Sequence, residues 1–167
     1  PVRVSGRGQR FYMDFGFIRA SATDLSRPKS TEDRVVESFD GFNSYLLIVD
    51  DLSKYSWIFL TKSKEPPIEL TKIFMKEFAN DNGGKIRVDQ GGELARSTTW
   101  RTLMLKEYQY KVEPTGADSP SQNGQVERYN EIVATTVRTL LYGLQLPAKF
   151  WSVAAVHAVY LMNRRVH

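Results

Sequence analysis

The chain carries the segment QNGQVERYN at residues 122–130, which follows a turn-like Ser119-Pro120 pair. This segment opens the longest helical pattern in the sequence, in which apolar residues recur at helical spacing as far as Leu144. It puts one carboxylate, Glu127, beside the apolar Val126 and therefore at the edge of the buried stripe of the helix. A lone helical glutamate is normally a solvated residue, so its role depends on the acids elsewhere in the chain.

Two aspartates in predicted strands are candidate partners for Glu127. Asp14 lies within FYMDFGFI (11–18), where strand alternation puts it on the face opposite the aromatic residues. Asp89 ends KIRVD (85–89), just before the turn QGGE. Asp14 could instead be a surface residue of an edge strand, and Asp89 could be an ordinary turn residue whose side chain hydrogen-bonds the backbone. The three acids together suggest a site for Mg²⁺ or Mn²⁺, which take oxygen ligands, and two such ions can clamp both oxygens when a phosphodiester is exchanged.

Composition restricts the kind of site. The 167 residues contain no cysteine and only two histidines, which excludes disulfides and thiolate metal sites and leaves too few ligands for zinc. The net charge of +4 indicates a mild preference for polyanions as partners. No apolar run approaches the length of a membrane span, so no membrane partner is expected. The chain opens on Pro1, and we expect a fragment of a longer polyprotein.

The order of predicted elements is βββαβαβαα, which indicates a single α/β domain over residues 1–167 with a five-stranded mixed sheet flanked by helices. A long polar surface loop is expected from Arg19 to Phe42, and a shorter loop over 116–121. The predicted strands are 11–18, 44–50, 55–61, 85–89 and 110–115, and the predicted helices are about 70–78, 100–108, 122–144 and 148–165. The second and third strands should form a hairpin.

The hairpin carries a further acidic pair, Asp50 and Asp51. Aspartates in this position commonly accept hydrogen bonds from the backbone of the turn, which is the interpretation we favour. A direct metal role is the alternative.

Several blocks of the sequence together resemble the catalytic core of integrases from copia-type long-terminal-repeat retrotransposons, within the retroviral integrase superfamily. The resemblance covers nearly the whole chain. It rests on MD (13–14), YLLIVDDLSKYSW (45–57), VDQGGEL (88–94), SPSQNGQVERYN (119–130), LPAKFW (146–151) and YLMNR (160–164).

The resemblance implies an RNase H-like fold in which Asp14, Asp89 and Glu127 are the catalytic, metal-binding acids and hold two Mg²⁺ or Mn²⁺ ions. The implied activity is that of a metal-dependent phosphodiester transferase, a nucleotidyltransferase and endonuclease that inserts cDNA 3′ ends into target DNA by strand transfer. Some relatives first trim those ends. The active full-length protein is expected in the nucleus, with cytoplasmic particles before import.

DNA and a second copy of the chain are the expected partners. Gln122, Asn123, Arg128 and Asn130 share the helix start with Glu127 and are the candidate DNA-binding residues. A homodimer or higher oligomer is implied by the resemblance, and Trp100, Tyr108 or Trp151 could supply its apolar contact.

The chain departs from the family pattern at two places. The segment between Asp89 and Glu127 is slightly longer than usual, with the extra residues between Leu94 and Gln109, and the Arg19–Phe42 loop is longer than usual. Two alternatives remain open. One is a domesticated or inactive integrase-like domain that binds protein or DNA, and the other is an RNase H-like nuclease that cuts RNA in hybrids.

Overall fold

The structure consists of a mixed sheet with helices on both faces. The computed structural model describes residues 4–20, 34–63, 65–115 and 120–165, with the backbone alone described at 20 and 120–123. The strands are β1 (Arg10–Gly16), β2 (Arg19–Ala20), β3 (Arg34–Val35), β4 (Ser44–Asp50), β5 (Ser56–Thr61), β6 (Gly84–Asp89) and β7 (Tyr110–Thr115). The helices are α1 (Ile68–Phe78), α2 (Glu93–Arg96), α3 (Thr98–Tyr108), α4 (Pro120–Gly143) and α5 (Trp151–Met162), with a 3-10 helix, η1 (Ala148–Phe150), ahead of α5.

The main sheet has five strands in the order β5-β4-β1-β6-β7. β4 pairs antiparallel with both β1 and β5, which confirms the predicted hairpin. β6 pairs parallel with β1, and β7 pairs parallel with β6. The sheet is therefore mixed, as predicted, and β1 is its central strand.

The alternation of β1 divides the protein into two hydrophobic cores. Phe11, Met13 and Phe15 pack in one core, whereas Tyr12 packs in the other. Asp14 pairs in register with Leu47 of β4, whose side chain lies in the same core as Tyr12. Asp14 therefore points away from the aromatic face, as the sequence predicts.

Each core is covered by its own helices. α1, α2 and α3 cover the face of Phe11 and Met13 and contribute Phe74, Leu94 and Trp100. α4 and α5 cover the face of Tyr12 and Asp14 and contribute apolar residues such as Val133 and Trp151. Within the described residues, no helix has both the length and the apolar character that a membrane span requires.

The prediction of a surface loop from Arg19 to Phe42 is partly wrong. Its described ends form a two-stranded ribbon in which β2 pairs antiparallel with β3. The residues that follow β3 bind to η1 and to the start of α5. Phe39 N donates to the Lys149 carbonyl of η1 at 2.8 Å, and Trp151 Nε1 of α5 donates to the Val36 carbonyl at 2.7 Å. These partners are more than a hundred residues away in sequence, so local pattern does not reveal them. Residues 21–33 of the predicted loop lie outside the described residues.

Helix boundaries differ from the sequence prediction at three places. The predicted helix 148–165 is η1 followed by α5, which ends at Met162. The short helix α2 was not predicted, because its four residues are too few for a periodic pattern. α4 begins at Pro120, within the loop predicted over 116–121, and residues 116–119 of that loop lie outside the described part of the chain.

Trp100 is a core residue and not a dimer contact. Its side chain is fully buried, and its Nε1 donates to Thr71 Oγ1 at 3.2 Å. We expect Trp100→Ala to lower the free energy of unfolding by about 3–5 kcal/mol, because it leaves a large cavity. Leu105→Ala on the same helix, where Leu105 is 55% exposed, should change it by less than about 0.5 kcal/mol. Urea unfolding measures both values, and equal effects would contradict this packing.

Candidate active site

Asp14 occupies the middle of the sheet, on the face that α4 crosses. Its carboxylate is half-buried. Asn130 of α4 donates from Nδ2 to Asp14 Oδ2 at 2.7 Å. This hydrogen bond joins the central strand to the helix that carries Glu127, and it fixes the orientation of the carboxylate.

Burial raises the pKa of Asp14 to about 6, because a charged carboxylate is poorly solvated there. The hydrogen bonds from Asn130 and from the Phe15 backbone act in the opposite direction and lower the pKa. The negative charges of Asp89 and Glu127 raise it further. The field of each of the other two candidate acids therefore reaches Asp14.

Asp89 ends β6, the parallel neighbour of β1. The register pairs Tyr12 with Arg87, and the same offset continued by two residues relates Asp14 to Asp89. Because register partners in parallel strands point to the same face, both acids belong to the α4 side of the sheet. The Asp89 carbonyl accepts from Gly92 N at 3.1 Å, so this aspartate also begins a turn, and its side chain is exposed.

Glu127 lies on α4 next to the buried Val126 and is itself exposed. It lines a cleft of about 440 Å³ together with Asp14, Asn130, Glu131 and Arg19. The cleft opens beside the central strand, and its charged lining consists of the acids Asp14, Glu127 and Glu131 and one cation, Arg19. Glu127 and Asp14, 113 positions apart in sequence, thus share one cavity.

The three acids do not form a ready metal cage. Among residues 4–20, 34–63, 65–115 and 120–165, no three acidic or histidine side chains lie close enough together to hold a metal ion. Like charges repel one another, and the Asp14 carboxylate is held by Asn130 instead. The assignment of Asp14, Asp89 and Glu127 as metal ligands stays a prediction.

The four candidate DNA-binding residues separate into three groups. Asn130 binds Asp14, and its Oδ1 is buried without a hydrogen-bond partner in the described structure. Arg128 lies on the other flank of α4 and lines a different cavity. The side chains of Gln122 and Asn123 lie outside the described residues.

Tyr45 and Arg19 also line the cleft, and the sequence did not identify them as site residues. Tyr45 of β4 is buried beside Asp14, and its pKa is raised far above the usual value by burial and by the charge of Asp14. Its ring fills the space over Gly16, where a Cβ would lie 2.1 Å from the ring. Arg19 of β2 also lines the cleft and is a cation there. Only the pairing of β1 with β4 and the course of the chain after β1 reveal these positions.

Asp50 and Asp51 have structural partners at the hairpin turn. Asp50 accepts from the backbone of Ser53 at 2.8 Å and of Gly8 at 2.9 Å, which confirms its interpretation as a turn acid. Asp51 instead forms ion pairs with Arg10 at 3.0 Å and Lys54 at 2.8 Å.

Curated proteins with similar sequences are retrotransposon polyproteins. The retrovirus-related Pol polyprotein from transposon TNT 1-94 of Nicotiana tabacum is 29% identical over 136 residues, which is 77% of this chain. The corresponding polyprotein from transposon RE1 of Arabidopsis thaliana is 28% identical over 130 residues, which is 76% of this chain. The chain spans about a tenth of the length of these relatives. No family model matches the chain.

Solved structures with a similar fold include retroviral integrases. The HTLV-2 integrase catalytic core domain in complex with magnesium, in its trimeric form, has a TM-score of 0.57 at 16% identity and covers 95% of this chain and 87% of its own. The simian T-cell lymphotropic virus intasome in complex with PP2A regulatory subunit B56 gamma has a TM-score of 0.65 at 15% identity and covers 95% of this chain and 49% of its own. The RNase H-like fold and the resemblance to integrase cores of copia-type elements are confirmed.

Asp14→Asn should stabilise the metal-free chain at neutral pH. The pKa of Asp14 is about 6 in the folded chain against 3.8 ordinarily, so between these values the folded state holds a proton that the unfolded state has lost. Stability contributed by this group therefore falls as the pH rises through that window. We expect the variant to gain on the order of 2 kcal/mol at pH 7 in urea unfolding and to show a flatter pH dependence between pH 4 and 6.

The matched control for this measurement is Asp81→Asn, since Asp81 is an exposed aspartate in the turn before β6. It should follow the parent chain at every pH. An Asp14→Asn variant no more stable than the parent at pH 7 would show that burial of this charge is not costly.

Proposed function

We propose that this chain is the catalytic core of a retrotransposon integrase, which joins the 3′ ends of cDNA to target DNA. The observation that carries the proposal is the environment of Asp14. This carboxylate is held on the central strand, shares its cleft with Glu127, and has a pKa raised in part by Asp89 and Glu127. Similarity to retrotransposon and retroviral integrase sequences and folds supports membership of the polynucleotidyl transferases.

The side chains at the cleft fit a site for divalent cations. The donors are carboxylate and amide oxygens, which Mg²⁺ and Mn²⁺ prefer. In the proposal Asp14, Asp89 and Glu127 are the residues that would hold two such ions. Such ions, when bound, activate a 3′-hydroxyl or a water and stabilise the leaving oxygen. A neighbour of the same fold, the HTLV-2 integrase core, was solved in complex with magnesium, which supports this choice.

The residues around the acids have separate tasks in this proposal. Asn130 orients Asp14 through the 2.7 Å hydrogen bond, so the carboxylate does not have to be ordered when DNA arrives. Arg19, at the rim of the cleft, offers a cation to a phosphate of the DNA end. In the proposal, the same residues also support a second reaction, the hydrolytic removal of a terminal segment of the cDNA. Insertion into chromosomes would require the protein to be in the nucleus.

A binding domain without activity is the second candidate. The observation that favours it is that no three acids among the described residues gather to metal-binding distance. Loss of the acidic side chains should then have no effect on the function of the domain, which makes the two candidates separable.

Glu127→Gln should abolish strand transfer without unfolding the chain. The substitution keeps size and helix propensity but removes the charge of a proposed metal ligand. We expect the rate of end joining with Mg²⁺ to fall more than about a hundredfold. The assay uses the longer protein that carries this chain and a duplex with the terminal-repeat end of the element.

Glu131→Gln is the matched control, because Glu131 lines the same cleft one turn further along α4. It should retain most of the activity. End joining by Glu127→Gln at the parental rate would refute the proposed function, and cleavage of RNA hybrids without end joining would favour the nuclease alternative.

We also propose that the chain forms a homodimer through α5. The predicted contacts Trp100 and Trp151 are wrong, because both are fully buried, and Tyr108 is half-buried. α5 instead exposes Val153, Val156, Tyr160 and Leu161, which are 55%, 47%, 50% and 39% exposed. An apolar face of this kind is typical of subunit contacts. HTLV-2 integrase cores with this fold were solved in dimeric and trimeric forms, which supports association.

Val156→Lys should shift the chain from dimer to monomer, since a charge in an apolar contact is costly to bury. Light scattering over a concentration series measures the mass. Ile73→Lys on α1, where Ile73 is 63% exposed on the other side of the sheet, is the control and should leave the mass unchanged. A parent chain that stays monomeric at high concentration would contradict the dimer.

A further inference from the structure

Helix α4 separates two cavities of opposite charge. The acid cleft on one flank contains Asp14, Glu127 and Glu131. The cavity on the other flank measures about 390 Å³, and we call it the basic cavity. Its cations are Lys54, Arg128 and Arg165, and its apolar surface comes from Tyr129, Ile132 and Met162.

Three separate elements supply the cations of the basic cavity. Lys54 lies in the turn between β4 and β5, Arg128 on α4, and Arg165 after the end of α5. A basic surface along one helix is normally a solvated face. Here three parts of the chain, widely separated in sequence, bring cations to one concave surface, which is not the pattern of a solvated helix face.

Lys54 is held in place within this cavity. Its Nζ donates to Asp51 Oδ1 at 2.8 Å and to Gln125 Oε1 at 3.1 Å. Asp51 also binds Arg10 at 3.0 Å. This network ties the hairpin turn to α4 and offsets part of the Lys54 charge.

Arg128 and Arg165 are both exposed, and the described structure gives neither an acidic side chain within ion-pair distance. Among the described residues, no acidic side chain lines the cavity. The apolar groups of Tyr129, Ile132 and Met162 keep the local dielectric below that of water, which strengthens the attraction of an anion to the two guanidinium groups.

We infer that the basic cavity binds a backbone phosphate of the DNA whose end lies in the acid cleft. The inference rests on the proposed function, and it adds a second point of attachment outside the acids. Arg128 is the residue after Glu127, so the phosphate site and the acid cleft lie at the same height on α4, about 1.5 Å apart along its axis. DNA that crosses the start of α4 meets both flanks.

The chemistry of the cavity favours phosphate over a protein carboxylate as its ligand. A guanidinium group binds two phosphate oxygens at once, and two such groups can share one phosphodiester. An acidic protein segment is the competing ligand, and poly-L-glutamate serves as its probe.

The test compares two double variants of the 167-residue chain with the same loss of charge. Arg128→Gln with Arg165→Gln removes two cations from the basic cavity. Lys76→Gln with Lys106→Gln removes two exposed cations from α1 and α3, on the opposite face of the sheet. Both variants reduce the net charge of +4 equally. Affinity for a fluorescent duplex is measured by anisotropy over a salt series without divalent metal, and circular dichroism checks folding.

The arginine variant should bind the duplex at least about tenfold more weakly at low salt. Its affinity should also depend less steeply on salt, so that the magnitude of the slope of log affinity against log salt falls by about one to two. The lysine variant should match the parent within about twofold. Equal weakening of both variants would show general charge attraction and overturn the inference. So would absence of duplex binding by the parent, or arginine-dependent binding of poly-L-glutamate alone.

Metal-free binding separates this inference from the proposed function. Loss of duplex affinity in the arginine variant, with no end joining by the longer protein that carries the parent chain, supports the phosphate site and refutes the integrase proposal. End joining by the longer protein, with unchanged duplex affinity in the arginine variant, supports the integrase proposal and refutes the phosphate site.

Discussion

Burial of the Asp14 carboxylate on the central strand is the constraint on which the site depends. β1 has a strand on each side and a hydrophobic core on each face, so this carboxylate is not solvated as a surface acid would be. The resulting cost raises its pKa to about 6, and the charges of Asp89 and Glu127 add to it. A charged carboxylate in this position destabilises the fold, and a cation bound beside it would offset this desolvation cost.

α4 connects that constraint to the rest of the molecule. Its apolar stripe, which includes Val133 and Val137, packs on the sheet and fixes the helix over Asp14. Asn130 then reaches Asp14, while Glu127 and Arg128 fall on opposite flanks. The same packing that buries the helix therefore decides which charges line each cavity.

The region between β1 and β4 shows how much of the fold depends on distant contacts. Its described residues form a short ribbon and then bind to Lys149 of η1 and to Trp151 at the start of α5. Trp151 is consequently part of the core and not of a subunit interface. The apolar residues of α5 that remain exposed, such as Val156 and Tyr160, face away from this contact.

The sequence alone determined the five main strands, the long helix, the side of β1 on which Asp14 lies, and the three acids that define the proposed site. These features follow from strand and helix periodicity and from short motifs, which are local properties of the chain. Tertiary structure decided the rest: Asn130 as the partner of Asp14, Tyr45 over Gly16, Arg19 in the cleft, and Lys54, Arg128 and Arg165 around one cavity. Those arrangements depend on strand register and on how α4 and α5 pack against the sheet, and contacts between residues so far apart in sequence leave no periodic signal in it.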